Sequence, residues 1–154
     1  MGPTNNLGYL VQHLAAVMGK QGDQMLQEQL GIGYSQFKIL MVLEWNPRVQ
    51  QRTIAESLGQ TEASVSRQIK LLQRKGLLVA KPDPQNRRKH ITTPTTLGMQ
   101  MTEAATAIIR RSFGPEYAAM GEDQLLQLLT GLQRLHAIVC RPGKVGACDH
   151  PLGL

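Results

Sequence analysis

Arg67, Lys70 and Arg74 recur at steps of three and four residues, and a further pair, Arg87 and Arg88, follows them. On a helix, the first three would form one row of positive charge. From Thr61 to His90 there are eight bases and two acids, Glu62 and Asp83. The remainder holds nine bases and nine acids, so the whole formal charge of +6 lies in thirty residues. Charge concentrated in this way suits a polyanionic partner. Charge alone would also fit a merely solvated basic face.

Other residue types offer less chemistry. Ser64 and Ser66 lack the Gly-x-Ser-x-Gly surroundings of a nucleophile elbow, and the nearest histidine downstream is His90. They read as polar helix-surface residues. His13, His90, His136 and His150 are scattered, none with a partner at i+3 or i+4, so no metal site is expected. Cys140 and Cys148 in "CRPGKVGAC" fall short of the ligand count of a structural zinc site and read as inert thiols. No catalytic constellation emerges, and neither an enzyme nor a cofactor is expected.

The 154 residues are 42% hydrophobic and 18% charged, which suits one domain with a real core. No apolar run approaches the length of a membrane span. "MGPTNNLGYL" lacks the basic and apolar regions of a signal peptide, and Asn6 stands where myristoylation wants Ser or Thr. A soluble, cytoplasmic protein without membrane attachment is the expectation.

The elements that must position the basic row can be read from periodicity. Leu7, Leu10, Leu14, Val17 and Met18, then Met25 and Leu26, predict a long first helix over 7–30, weakened at Gly19 and Gly22. "SQFKILMVLEW" (35–45) predicts a second helix, stopped by Asn46–Pro47, with Arg48 and Val49 as a short extended link. "QQRTIAESL" (50–58) predicts a third, ended by Gly59.

Thr61 can cap a fourth helix, with Glu62 in its first turn. At 100° per residue, Val65, Ile69 and Leu72 fall within about 60° of one another. Ala63, Arg67, Lys70 and Arg74 lie opposite, and Gly76 stops the helix. Residues 77–81 and 89–93 then read as strands around the turn-forming "PDPQNR". A helix over 95–113 follows, capped by Thr95 and broken by Gly114–Pro115, with Arg110 and Arg111 as cations at its end. The last helix, 122–139, carries a stripe of Leu125, Leu128, Leu129, Leu132, Leu135 and Val139. Residues 140–154 read as a flexible Gly/Pro-rich tail.

Two short helices, a glycine turn and a basic amphipathic helix make a helix-turn-helix, and the basic hairpin after it makes the winged form. The fold class is therefore mainly α with a small β wing. A helix of this kind fits the major groove of duplex DNA. Thr61, Ala63, Ser64 and Ser66 are short enough for the backbone to approach, and Arg67 is long enough to reach a guanine edge. Lys70 and Arg74 lie where phosphates would be, which sets register without reading sequence. Arg87 and Arg88 on the wing suit the negative potential of the minor groove.

The order of these motifs resembles the MarR family of transcriptional regulators. "GIGYSQFKILMVL" is similar to the family's entry into its second helix. "QRTIAESLGQTEASVSRQIKLLQRKGLL" resembles its helix-turn-helix, including Ala55–Glu56, Val65–Ser66–Arg67 and Lys75–Gly76–Leu77. "DPQNRRKHITT" resembles its wing, and "PTTLGMQM" the helix after it. The resemblance implies a winged helix-turn-helix lobe over 32–94 and dimerisation helices over 7–30 and 95–139. It implies a homodimer on pseudo-palindromic duplex DNA, most often a repressor, relieved by a small anion or an oxidant. Tyr9, His13, Tyr34 and Trp45 are its candidates for an effector pocket between dimer helices and DNA-binding lobe, against the plainer reading as core or surface.

Three departures stand out. Asn86 replaces the family's usual Asp, which pairs with a wing arginine. Pro94 replaces a leucine before Thr95, so the strand should stop early. The first helix has no cysteine, so the family's peroxide-sensing mechanism does not carry over. The rival reading, from a different class, is a winged-helix interaction module whose basic face meets an acidic protein.

Overall fold

A computed structural model describes residues 3–141; Cys148, His150 and the tail from residue 142 lie outside the described residues. The elements run α1 (Pro3–Leu30), α2 (Tyr34–Trp45), β1 (Val49–Gln50), α3 (Gln51–Leu58), α4 (Glu62–Arg74), β2 (Leu78–Pro82), β3 (His90–Pro94), α5 (Thr96–Met120) and α6 (Glu122–Val139). The mainly helical fold with a small β wing is as the patterning predicts. Among the described residues, no helix is long and apolar enough to cross a membrane.

The core forms where the faces of α2, α3 and α4 meet. Ile39, Leu40 and Leu43 of α2 pack with Ile54 of α3, Val65 and Leu72 of α4, and Leu77 just beyond. Each such side chain contributes roughly 1.5–3 kcal/mol when fully buried. Leu26 of α1 and Ala105 and Ile108 of α5 close the cluster from the other side.

Four expectations need correction. The extended link after α2 is a third strand. Val49 and Gln50 pair antiparallel with Thr92 and Ile91, giving a sheet ordered β1-β3-β2. Two residues carry too little pattern to be distinguished from a loop, and long-range pairing decides the matter.

The wing strand does not stop before Pro94: it ends on it, opposite Leu78. A proline at a strand's last position interrupts no further rung. The next donor is Thr95, whose N–H bonds the Leu77 carbonyl at 3.1 Å.

Helix α5 does not break at Gly114–Pro115 but continues to Met120. Pro115 removes one rung, the bond to the Arg111 carbonyl. Packing carries the helix across it: Phe113 is buried, and its ring stacks on Tyr117 one turn later at 6.4 Å. Arg110 and Arg111 therefore lie within a helix rather than at its end, and the Arg111 guanidinium donates to Gln29 of α1 at 3.2 Å.

Helix α1 starts at Pro3 and runs unbroken through its glycines. A Cβ at Gly22 would stand 2.9 Å from the Tyr34 ring. The residue that lowers intrinsic helix propensity is thus the one that lets α2 dock against α1.

Helix α6 buries none of its residues: Leu128, Leu129, Leu132 and Val139 of its apolar stripe are exposed, Val139 at 60%, and Leu125 and Leu135 are half-buried. The N-terminal part of α1 likewise exposes Leu7, Tyr9, Leu10, Val11 and Leu14.

Candidate nucleic-acid interface

Helix α4 is held from three directions. At its start, the Thr61 hydroxyl accepts from the Ser64 N–H at 3.1 Å, and Glu62 places negative charge in the first turn. Gly59, at φ 60°, closes α3 just before it. Along its inner face, Val65, Ile69 and Leu72 are buried. Ala63, Arg67, Lys70 and Arg74 are left exposed on the opposite face, with Ser64 and Ser66 half-buried at its edges.

At its C-terminus the hold is polar. The Lys75 ammonium donates to the Gly31 carbonyl and, at 3.4 Å, to the Gln36 side-chain oxygen. The Gln36 amide donates to Gln68 of α4 at 3.3 Å, and its oxygen also accepts from the Gly33 N–H at 3.4 Å. Gln36 is buried. This network fixes the basic helix to the α1–α2 turn. In the sequence Lys75 reads only as part of the helix stop, and Gln36 and Gln68 carry no signal of their own. A buried glutamine leaves no periodic signal, because its burial depends on partners distant in the chain.

The wing presents the second basic group. Its tip is built on short-range bonds. The Asp83 N–H donates to the Lys89 carbonyl at 2.7 Å, and the Lys89 N–H to the Asn86 carbonyl at 2.8 Å. The Asp83 carboxylate accepts from the Gln85 N–H at 2.9 Å, and the Asn86 side-chain oxygen from the Arg88 N–H at 3.2 Å. Asn86 therefore braces the tip through the backbone rather than through an ion pair. Arg87 and Arg88 are exposed. Among the described residues no ion pair occupies Arg67, Lys70, Arg74, Arg87 or Arg88; the pair formed is Arg52–Glu56 at 2.9 Å.

The wing and α4 approach each other at one end. Arg88, Lys89 and His90 share a hollow of about 290 Å³ with Gln51 and Arg52 of α3 and Glu62 of α4. Arg88 thereby comes beside the N-terminal end of the basic helix. The Glu56 hydrogen bond, its charge and that of Glu62 raise the pKa of Arg52 above its already high value. Gln51 and Arg52 give no sequence signal for this hollow, because the pattern of α3 marks only Ile54, Ala55 and Leu58 as its inward face.

The four effector-pocket candidates do not converge. Tyr9 and His13 stack on each other at 5.7 Å on the exposed part of α1. Tyr34 opens α2 and lies in a shallow groove with Ala15, Gly19 and Asp23. Its N–H donates to Asp23 at 2.8 Å, and the Lys38 ammonium lies 5.7 Å from its ring centre. Burial raises the Tyr34 phenol above its usual pKa, and Tyr117 adds to that. Trp45 closes the same helix that Tyr34 opens, roughly 16 Å away at 1.5 Å per residue. Among the described residues no group of three or more His, Cys, Asp and Glu is arranged to hold a metal ion.

Residues 30–89 match the model of the MarR family. A comparison with curated protein sequences gave no match. Among solved structures, the MepR–DNA complex of S. aureus is 28% identical, with a TM-score of 0.71 over 82% of this chain and 93% of that one. A cysteine-to-serine variant of E. coli MarR complexed with operator DNA is 20% identical, with a TM-score of 0.73 over 84% and 93%. The regulator BldR from Sulfolobus solfataricus is 20% identical, with a TM-score of 0.78 over 90% of this chain and the whole of that one. The segment 30–89 is thus similar to the MarR family, and the chain as a whole shares the winged-helix fold of these solved structures.

Proposed function

We propose that the chain is a sequence-specific transcriptional regulator, a repressor that binds a pseudo-palindromic operator as a homodimer. The observation that carries this reading is the outer face of α4. It bears Arg67, Lys70 and Arg74, exposed and without acidic partners among the described residues, beside a wing bearing Arg87 and Arg88. A structural core has no use for such a face, and a major groove does.

In this reading residues 32–94 form the DNA-binding lobe. Arg67 reads a base edge, Lys70 and Arg74 neutralise phosphates, and Thr61, Ala63, Ser64 and Ser66 line the close approach. Arg87 and Arg88 clamp the minor groove. Residues 7–30 and 95–139 pair two subunits through the apolar faces that α1 and α6 expose. The two copies of α4 then enter successive major grooves, about 34 Å apart. A small ligand relieves repression by favouring a different spacing of the two lobes.

The test is fluorescence anisotropy on the intergenic DNA beside the chain's own gene, against a shuffled duplex, over a range of salt. Tight binding to the first alone, with a log–log salt slope of about −0.9 per phosphate neutralised, is expected. Equal and weak binding to both would overturn sequence-specific regulation and favour a protein partner for the basic face.

A further inference from the structure

We propose that the Gln36–Gln68–Lys75 network sets the direction of α4 relative to α1, and through it the half-site spacing that the molecule accepts. The three act as positioning residues: they touch protein, and hold the helix whose outer face carries Arg67, Lys70 and Arg74. The first observation is where the bonds land. Gln68 and Lys75 are seven residues apart, so they share one face of the helical track, about 10 Å apart along its axis. One tether would fix a distance and leave a pivot. Two tethers two turns apart fix a direction.

The second observation is what holds the other end. The Lys75 ammonium donates to the carbonyl of Gly31, the first residue after α1, and to the Gln36 side-chain oxygen at 3.4 Å. The Gln36 amide donates to the Gln68 oxygen at 3.3 Å. The turn that carries Gly31 and Gln36 is itself tied back to α1. The Tyr34 N–H donates to the Asp23 carboxylate at 2.8 Å, and the Gly31 N–H to the Gln27 carbonyl at 3.1 Å. Polar contacts thus run without a gap from α1 to two points on α4. The buried face of α4, Val65, Ile69 and Leu72, adds apolar contact, which is non-directional. Hydrogen bonds weaken steeply off their axis, so the polar latch supplies the angular restraint.

The inference rests on the regulator reading for its effect on DNA. There, α1 belongs to the part that pairs two subunits and α4 to the part that enters the groove. One extra base pair between half-sites displaces one of them by about 3.4 Å. The dimer must then lose DNA contacts or break the latch. The latch adds no more selectivity than its own rupture costs, about fivefold for one net hydrogen bond.

The test begins with a readout that needs no DNA. Spin labels are placed at Lys20→Cys on α1 and Lys70→Cys on α4, both exposed positions, with Cys140→Ser and Cys148→Ser. Labelled chains are diluted in unlabelled protein, so that each measured pair lies in one chain. The distance distribution should widen in Lys75→Met and in Gln68→Met. It should keep its width in Lys75→Arg, which retains charge and donors. Without labels, anisotropy then compares operator duplexes at native spacing and with one base pair added. The preference for native spacing should fall by about fivefold in each methionine variant. Gln68→Met changes no charge, so its effect is separate from any contact of Lys75 with phosphate.

Unchanged widths in both methionine variants, or an equal loss of affinity at both spacings, would overturn the latch. A wild-type thermal midpoint in either variant excludes general loosening as the cause of a wider distribution. Wider distributions with no operator binding by the wild type would refute the regulator reading and leave the latch standing. Spacing-selective binding by the wild type, with unchanged widths in the variants, would do the reverse.

Discussion

Arg67 and Lys70 stand one turn apart on the same exposed face, but their chemistry separates them. A guanidinium can pair bidentately with a guanine edge, while an ammonium acts on phosphate as a point charge. Arg67→Ala should therefore cost about 1–3 kcal/mol on the operator and little on random DNA. Lys70→Ala should weaken both about equally and flatten the salt slope by about 0.9. Competition anisotropy with specific and random duplexes separates the two; equal loss for Arg67→Ala would remove its reading role. At the wing tip, Asn86→Asp keeps the oxygen that accepts the Arg88 N–H. It adds a charge that can pair with a neighbouring arginine, so DNA affinity should be unchanged or higher. A clear loss in the same assay would mean that the Asn86 amide has a contact of its own.

At the scale of elements, helices with strong faces were legible in the sequence. Val65, Ile69 and Leu72 repeat at helical spacing, and they are the residues α4 buries. Thr61 was readable as its cap and is one in space. Thr61→Ala should cost about 1 kcal/mol, which would lower the thermal midpoint by roughly 2–4 °C in a chain of this size. Calorimetry checks this, and an unchanged midpoint would show that neighbouring bonds replace the cap. What misled were residues whose local tendency is overruled from outside. Gly22 and Pro115 both disfavour helix. The first is occupied by the Tyr34 ring, and the second is bridged by the Phe113–Tyr117 stack. Strand β1 exists because β3 lies beside it, a fact no window around Val49 contains. The exposed basic face of α4 was legible because charge and periodicity coincide there. The Gln36–Gln68–Lys75 network was not, since its members are distant in the chain.

On the scale of the whole molecule, positive charge and exposed apolar surface occupy different regions. Charge collects on α4 and the wing; apolar side chains collect on α6 and the N-terminal part of α1. Leu126, Leu128, Leu129 and Leu132 are all 40% exposed or more. An exposed row of that size is unusual for a monomer and marks an interaction surface. Sedimentation should give twice the chain mass of 17.0 kDa. Leu128→Glu with Leu132→Glu should shift the species to monomer and lower operator affinity steeply, because each half-site alone binds weakly. A monomeric wild type that still binds a full operator tightly would overturn the pairing.

The contact between α5 and the end of the basic helix has a mechanical consequence. A Cβ at Gly98 would stand 1.9 Å from the Leu77 carbonyl oxygen, and the Thr95 hydroxyl donates to the Gly76 carbonyl at 2.6 Å. The first turn of α5 is thus clasped to the segment that follows α4. Helix α5 has 25 residues, a rod of about 37 Å. A pivot of about 5° at its far end would swing the clasped end by roughly 3 Å, close to the rise of one base pair. On the regulator reading, such a tilt of α5 would carry α4 about one step out of register along a duplex.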